Sequence, residues 1–200
     1  MENSNLKIYT LFAGINGVGK STLYQALGSS GFGERLNSDE IIVEQGKDWR
    51  SPSSQIRAGI EVLKRQNEYF DKGLSMNRET TLSENSIVKI LQYIKNMGYQ
   101  IHIYYVGVND LDIAKERIKK RVENGGHGID EYTLKLRYKA TQKNLKKVIP
   151  YCDLLQFYDN SGSSIQLVGF LENGEIIKAK EGCKWLDNLI LELEEEKSFS

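Results

Sequence analysis

Runs of apolar residues alternate along the chain with segments whose apolar positions recur at helical spacing. Lys7–Ala13 (KIYTLFA) is a short, nearly continuous apolar run, the pattern of a strand buried on both faces. Lys20–Leu27 follows as a helix with Leu23, Ala26 and Leu27 on one face, and a short element then leads to Asn37-Ser38-Asp39. Ser53–Lys72 is predicted helical, with Ile56, Ile60 and Leu63 in step as its buried stripe. A strand end precedes Glu79, and Glu84–Met97 forms a helix closed by Gly98. Gln100–Val108 (QIHIYYVGV) has the strongest strand pattern. Helices over Leu111–Glu123 and Asp130–Lys147 flank a glycine loop at 125–128, and Leu154–Tyr158 is again a strand. Ile165–Leu171 and Glu175–Lys180 flank Asn173-Gly174, a hairpin signature, before a closing helix at Trp185–Leu193.

Strands that alternate with helices need crossover connections. The predicted fold is therefore α/β, three-layered, with a mainly parallel central sheet and a C-terminal hairpin at an antiparallel edge. Ligands in such sheets bind beyond the carboxyl ends of the strands, so the residues just after each strand are the ones to inspect.

Composition narrows the class. The 200 residues carry 27 basic and 27 acidic side chains, and 40% are hydrophobic. A zero net charge argues against a broad nucleic-acid surface, and the apolar content argues against disorder. The charge is not evenly spread. Residues 111–150 hold eleven basic against five acidic side chains, a net of +6, and residues 172–200 hold four against eight, a net of −4. Cys152 and Cys183 have no metal-like spacing and suggest a reducing compartment. Met1–Lys7 lacks a basic segment followed by an apolar one, so no signal peptide is expected. No apolar run approaches the roughly 18 residues of a membrane span. One domain over 1–200 is expected, soluble and cytoplasmic, with a lid at about 111–147 and the hairpin and helix at about 163–197.

The chemistry begins at Gly14-Ile15-Asn16-Gly17-Val18-Gly19-Lys20-Ser21, a complete GxxxxGKS between a predicted strand and a predicted helix. Glycines let backbone N–H groups turn inward around phosphate, and the helix N-terminus adds partial positive charge. Lys20 suits the β- and γ-phosphates, and the Ser21 hydroxyl suits Mg²⁺. No NKxD-like guanine motif follows, which favours ATP over GTP, and no LSGGQ-like transporter signature is present.

Three further clusters each have two readings. Asp39, in Asn37-Ser38-Asp39-Glu40, fits a general base near the γ-phosphate, and Ser38 or Asp39 also fits a helix cap before Ile41-Ile42-Val43. Glu79-Thr80-Thr81-Leu82-Ser83 groups a carboxylate with three hydroxyls, suited to a polyhydroxyl substrate or to capping the next helix. Arg117 and Arg121 share a helix face and run into Gly125-Gly126-His127-Gly128. They fit a lid that closes on the transferring phosphate, or a solvated face interleaved with Glu116 and Glu123. His127 has no metal-spaced partner and suits a hydrogen bond in the loop.

In this order the motifs resemble the zeta-toxin family of P-loop kinases, in particular its chromosomal branch of predicted ABC-type ATPases. The resemblance rests on GxNGxGKST at 14–22, NSDEI at 37–41, ETTLS at 79–83, RIKKRVENGGHGI at 117–129, Arg137-Tyr138, Asn144-Leu145 and Tyr158-Asp159-Asn160-Ser161, and covers most of residues 7–162. The better-studied zeta toxins use ATP to phosphorylate the 3′-hydroxyl of UDP-N-acetylglucosamine. The resemblance therefore implies a nucleotide site of Gly14, Asn16, Gly17, Val18, Gly19, Lys20, Ser21 and Thr22, with Asn160 by the adenine and Ser21 on Mg²⁺. It implies Asp39 as general base, Lys20, Arg117 and Arg121 as the catalytic cations, and Glu79, Thr80 and Arg137 with Asp39 on the acceptor. It also implies an antitoxin protein partner. Three positions depart from the branch: Asp130 stands for a usual proline, Leu136 for the first of two arginines, and Ile60 for an arginine after Ala58-Gly59. Two other function classes fit the phosphate loop: a nucleotide-gated interaction protein, and a polynucleotide kinase, which needs a basic track for its strand.

Overall fold

The computed structural model describes residues 6–48 and 51–198, so the reading of Met1–Asn5 lies outside the described residues. Its strands are β1 Ile8–Ala13, β2 Glu34–Leu36, β3 Met76–Thr80, β4 Gln100–Gly107, β5 Leu154–Asp159, β6 Gln166–Glu172 and β7 Glu175–Lys178. Its helices are α1 Lys20–Leu27, α2 Ser38–Glu44, α3 Pro52–Asp71, α4 Ile87–Asn96, α5 Leu111–Glu123, α6 Glu131–Val148 and α7 Lys184–Ser198. No helix among the described residues is long and apolar enough to cross a membrane.

The strands form one sheet in the order β2-β3-β1-β4-β5-β6-β7. The first five are parallel, and β6 and β7 add an antiparallel edge, as the alternation of elements predicts. The β6–β7 turn places Asn173 at φ 52° and Gly174 at φ 81°. A two-residue I′ turn needs positive φ at both positions, which Asn-Gly tolerates.

Strand β1 is central and buried on both faces. Tyr9, Leu11 and Ala13 belong to one apolar layer with Leu91, Leu145 and Trp185. Phe12 points the other way, into a layer with Val18, Leu23, Ala114, Ile118 and Leu134. This period of two explains why the run is apolar throughout rather than alternating. The parallel register pairs Ala13 with both Thr80 and Tyr105, so β1, β3 and β4 end side by side, and Gly14 N–H donates to the Thr80 carbonyl at 3.2 Å. The strand ends therefore place the phosphate loop beside the ETTLS segment.

Four local expectations are corrected. Ile56, Ile60 and Leu63 are exposed, and α3 buries Ser54 and Ala58 instead. The small Ala58 lets α3 approach Ile41 and Ile42 of α2 closely, and that contact sets the helix's rotation. On α1 only Leu23 is buried, while Ala26 and Leu27 face outward. The cap of α2 is Asn37, which accepts from Asp39 N–H at 2.9 Å, so neither Ser38 nor Asp39 fills that role. Helix α4 starts at Ile87 rather than Glu84; the Glu84 carbonyl accepts from Ile87 N–H at 3.2 Å, and the carbonyls of Leu82 and Glu84 accept from the Asn144 amide on α6.

Candidate active site

The phosphate loop needs its glycines for two reasons. Gly14, Gly17 and Gly19 have φ of 133°, 82° and 100°, conformations that side chains with a Cβ rarely adopt. Space is also missing: a Cβ on Gly17 would lie 2.5 Å from the Ala114 carbonyl, and one on Gly19 would collide with the Asn160 amide. Helix α1 begins at Lys20 with no side-chain cap and no acidic residue in its first turn. Its first N–H groups thus lack the usual protein acceptor and face an approaching anion with the positive end of the helix dipole.

A cleft of about 710 Å³ opens over this loop. Its wall takes in Asn16, Gly17, Gly19, Lys20, Ser21 and Thr22 from the loop and α1, Asp39 from α2, and Glu79 and Thr80 from β3. Arg117 and Arg121 of α5 and Arg137 of α6 complete it, beside His127 in the glycine loop. The structure thus gathers most of the sequence-predicted residues around one space. Gly14, Val18 and Asn160 are not on that wall. The Asn160 side chain is buried behind the loop, where its amide donates to the Val18 carbonyl at 2.8 Å, so it braces the loop. Asp159 is likewise engaged, accepting from Trp185 Nε1 and the Ser161 hydroxyl.

The cleft is electropositive. Lys20, Arg78, Arg117, Arg121 and Arg137 line it against two carboxylates, Asp39 and Glu79. Lys20 Nζ donates to the Ile15 carbonyl at 3.1 Å. Burial in the loop lowers its pKa to about 8; the negative charge of Glu79 opposes that shift, and Arg121 and Arg137 reinforce it. Such an ammonium is stabilised by any anion that enters.

The arginines are engaged differently. Arg137 Nη1 donates to Asn16 Oδ1 at 2.9 Å, tying α6 to the phosphate loop. Arg121 Nη2 lies 3.5 Å from Asp39 Oδ2, with both side chains about half exposed. Arg117 Nη1 is buried and has no hydrogen-bond partner. A buried guanidinium nitrogen without a partner forfeits on the order of 1–3 kcal/mol of hydrogen bonding. Of Arg117 and Arg121, Arg117 is the one with a buried guanidinium nitrogen that has no partner. Helices α5 and α6, where a lid is expected, do not stand clear of the sheet: Ala114, Ile118 and Leu134 are in the core beside the phosphate loop. Past α5, Gly126 N–H donates to the Arg121 carbonyl at 2.8 Å, folding the glycine loop back onto the helix that carries both arginines.

Several site residues escaped the sequence reading. Arg35 on β2 donates to Glu79 Oε1 at 2.6 Å, to Asn77 Oδ1 at 3.1 Å and to Glu40 Oε1 at 3.2 Å, and lies over the Tyr24 ring at 3.9 Å. It holds Glu79 in place from below the cleft. A three-residue strand carries no readable periodicity, so nothing in the sequence marked Arg35. Leu82, fully buried, has φ 54° in the turn after β3. A left-handed leucine costs about 1–2 kcal/mol. The Thr80 hydroxyl offsets it by accepting from Leu82 N–H at 3.0 Å, as do bonds from Thr141 and Asn144 on α6 to the carbonyls of Thr81 and Leu82.

Together the sheet order, the phosphate loop at the end of β1 and the basic helices over it define a P-loop protein of the kinase-like α/β class. Residues 10–142 match a family model described as AAA domain, and the chain belongs to that family. An uncharacterized protein of Haemophilus influenzae is 33% identical over 128 residues, covering 64% of this chain and 89% of the relative. Among solved structures, the AvrRxo1-ORF1:-ORF2 complex with ATP superposes with a TM-score of 0.70 at 13% identity. That match covers 92% of this chain, which spans 64% of that one. The PezAT chromosomal toxin-antitoxin system of Streptococcus pneumoniae gives 0.63 at 18% identity, over 96% of this chain and 80% of that one. At these identities the likeness is one of fold, and at that level the resemblance to zeta toxins is borne out.

Proposed function

We propose that this protein is an ATP-dependent phosphotransferase that moves the γ-phosphoryl group onto a hydroxyl of a small molecule. The observation that carries the reading is that one cleft holds a glycine-cradled phosphate loop on one side and Asp39 and Glu79 on the other. The positive-φ glycines of the loop, the uncapped N-terminus of α1 and the unpartnered Arg117 nitrogen fit a polyphosphate. Lys20 and the loop N–H groups hold the phosphates, and Ser21 supplies the protein oxygen for Mg²⁺, which neutralises phosphate charge when bound. Asp39 accepts the proton of the acceptor hydroxyl as its oxygen bonds to phosphorus and the bond from phosphorus to the bridging oxygen of ADP breaks. Arg117 takes up charge on the transferring group. The Asp39–Arg121 pair does not block this role. An exposed ion pair is worth about 0–1 kcal/mol, so a bound phosphate displaces it easily.

A UDP-amino sugar such as UDP-N-acetylglucosamine is the acceptor to test first, on the zeta-toxin resemblance. Incubation with ATP, Mg²⁺ and a panel of nucleotide sugars and nucleosides, read by mass spectrometry, should give an acceptor heavier by one phosphate. The gain should vanish in Lys20→Ala and fall sharply in Asp39→Asn. No gain on any UDP-sugar overturns the acceptor assignment, and full turnover in Asp39→Asn overturns the general base. A protein partner is part of the proposal, because the AvrRxo1-ORF1:-ORF2 and PezAT structures are of a complex and of a toxin-antitoxin system.

A further inference from the structure

One face of α6 reaches both halves of the cleft. Arg137, Thr141 and Asn144 stand at i, i+4 and i+7, so they form a single stripe along the helix. Arg137 holds Asn16 in the phosphate loop. One turn on, Thr141 Oγ1 donates to the Thr81 carbonyl at 2.5 Å. Asn144 Nδ2 donates to the Leu82 carbonyl at 2.6 Å and to the Glu84 carbonyl at 3.1 Å. Thr141 is 0% exposed and Asn144 8%. Neither is needed to fill an apolar core, where valine or leucine serves better, and burying polar groups is favourable only when each is bonded. What their bonds do is pin the left-handed turn at Leu82, whose N–H holds the Thr80 hydroxyl oxygen. That leaves the Thr80 hydroxyl proton to point elsewhere.

We infer that Thr141 and Asn144 are positioning residues for phosphotransfer: with Arg137 they make α6 a spacer that fixes the acceptor-side turn, Thr80–Ser83, against the phosphate loop. They touch no reacting atom. They act through the backbone of the segment carrying Glu79 and Thr80. The inference rests on the phosphotransferase reading of the cleft, and it makes α6 part of the acceptor site as well as of the lid.

The test uses the full chain as wild type, Thr141→Val, Thr141→Ser and Asn144→Ala. Valine matches threonine in shape and removes the donor, and serine keeps it. MgATP affinity is measured by calorimetry. Turnover is measured with ATP and UDP-N-acetylglucosamine, and amide hydrogen exchange is followed over residues 79–86 and 14–21. Thr141→Val and Asn144→Ala should keep MgATP affinity within about twofold while exchange over 79–86 quickens roughly tenfold, the scale of one lost hydrogen bond. The KM for the acceptor should rise, kcat should fall by a similar factor, and Thr141→Ser should restore both. Equal exchange in wild type and Thr141→Val overturns the inference. So does equal loosening of both segments with a lowered melting temperature, the mark of a merely structural role. If wild type transfers no phosphate to this acceptor, the acceptor assignment fails, and the exchange and MgATP arms still decide whether α6 pins the turn independently of the phosphate loop.

Discussion

On the proposed binding of nucleotide at the phosphate loop, Lys20 makes that binding a proton-linked event. Without an anion its pKa is depressed to about 8, chiefly by burial in the loop. A bound triphosphate supplies the missing negative charge and returns it towards the ordinary lysine value of about 10.4. At pH 9 about one tenth of the free protein carries a proton on Lys20, and nearly all of the complex does, so binding takes up about 0.9 proton. At pH 8 the uptake is about half a proton, and at pH 7 about one tenth. The complex holds more protons than the free protein, so raising the pH disfavours it. Affinity should fall about tenfold between pH 7 and pH 9. The phosphates themselves do not interfere, since their last proton is lost near pH 6. The assay is calorimetric titration with MgATP at pH 7, 8 and 9, in pairs of buffers that differ in ionisation enthalpy. Lys20→Met should bind weakly and without uptake. Binding at pH 9 that is independent of the buffer, or equal uptake in Lys20→Met, would refute the reasoning.

Three further outcomes follow from the cleft. Arg117→Ala should lower phosphotransfer at least about a hundredfold while MgATP affinity changes little, because the unpartnered nitrogen is reserved for charge that develops late; steady-state kinetics with separate binding titrations checks this. In Gly126→Ala the new methyl would sit 2.7 Å from Arg121 Cγ and 2.9 Å from the Arg121 carbonyl, so the loop must shift away from the end of α5. The loop is at the surface, so turnover should fall more than the melting temperature does. Arg35→Met removes the donor that holds Glu79 and Asn77 in a largely buried network. It should lower the unfolding free energy by about 2 kcal/mol, read from the urea midpoint, and should raise the acceptor KM more than the KM for ATP.

The fold was legible because its main signals are local. KIYTLFA, QIHIYYVGV, the glycine-flanked loop and Asn173-Gly174 each specify a conformation within a few residues, and the element order then leaves few topologies. Helix α3 was legible as a helix but not in its rotation. It carries two stripes at helical spacing, Ile56-Ile60-Leu63 and Ser54-Ala58-Val62, and the less apolar one faces inward. Periodicity ranks faces by hydrophobicity. Here close approach to α2 decides, and a small residue serves that better than an isoleucine.

The site was legible only where a motif is contiguous. Residues 14–22 read as a phosphate cradle because one contiguous loop makes the whole of it. Asp39, Glu79 and Arg117 are remote from it in sequence, and Arg35, Thr141 and Asn144 act through carbonyls and carboxylates on other elements, a relation that composition cannot express. The structure adds which of the named groups is already engaged. Arg121 and Asp39 hold each other across the mouth of the cleft, Arg137 is tied to Asn16, and Glu79 to Arg35, while one nitrogen of Arg117 is buried without a partner. An exposed pair costs little to break and a buried unpaired cation gains much when met. On the proposed mechanism, displacing Arg121 from Asp39 is the low-cost step that would free the carboxylate for an acceptor hydroxyl, and the unpartnered Arg117 nitrogen is left to meet charge that develops during transfer.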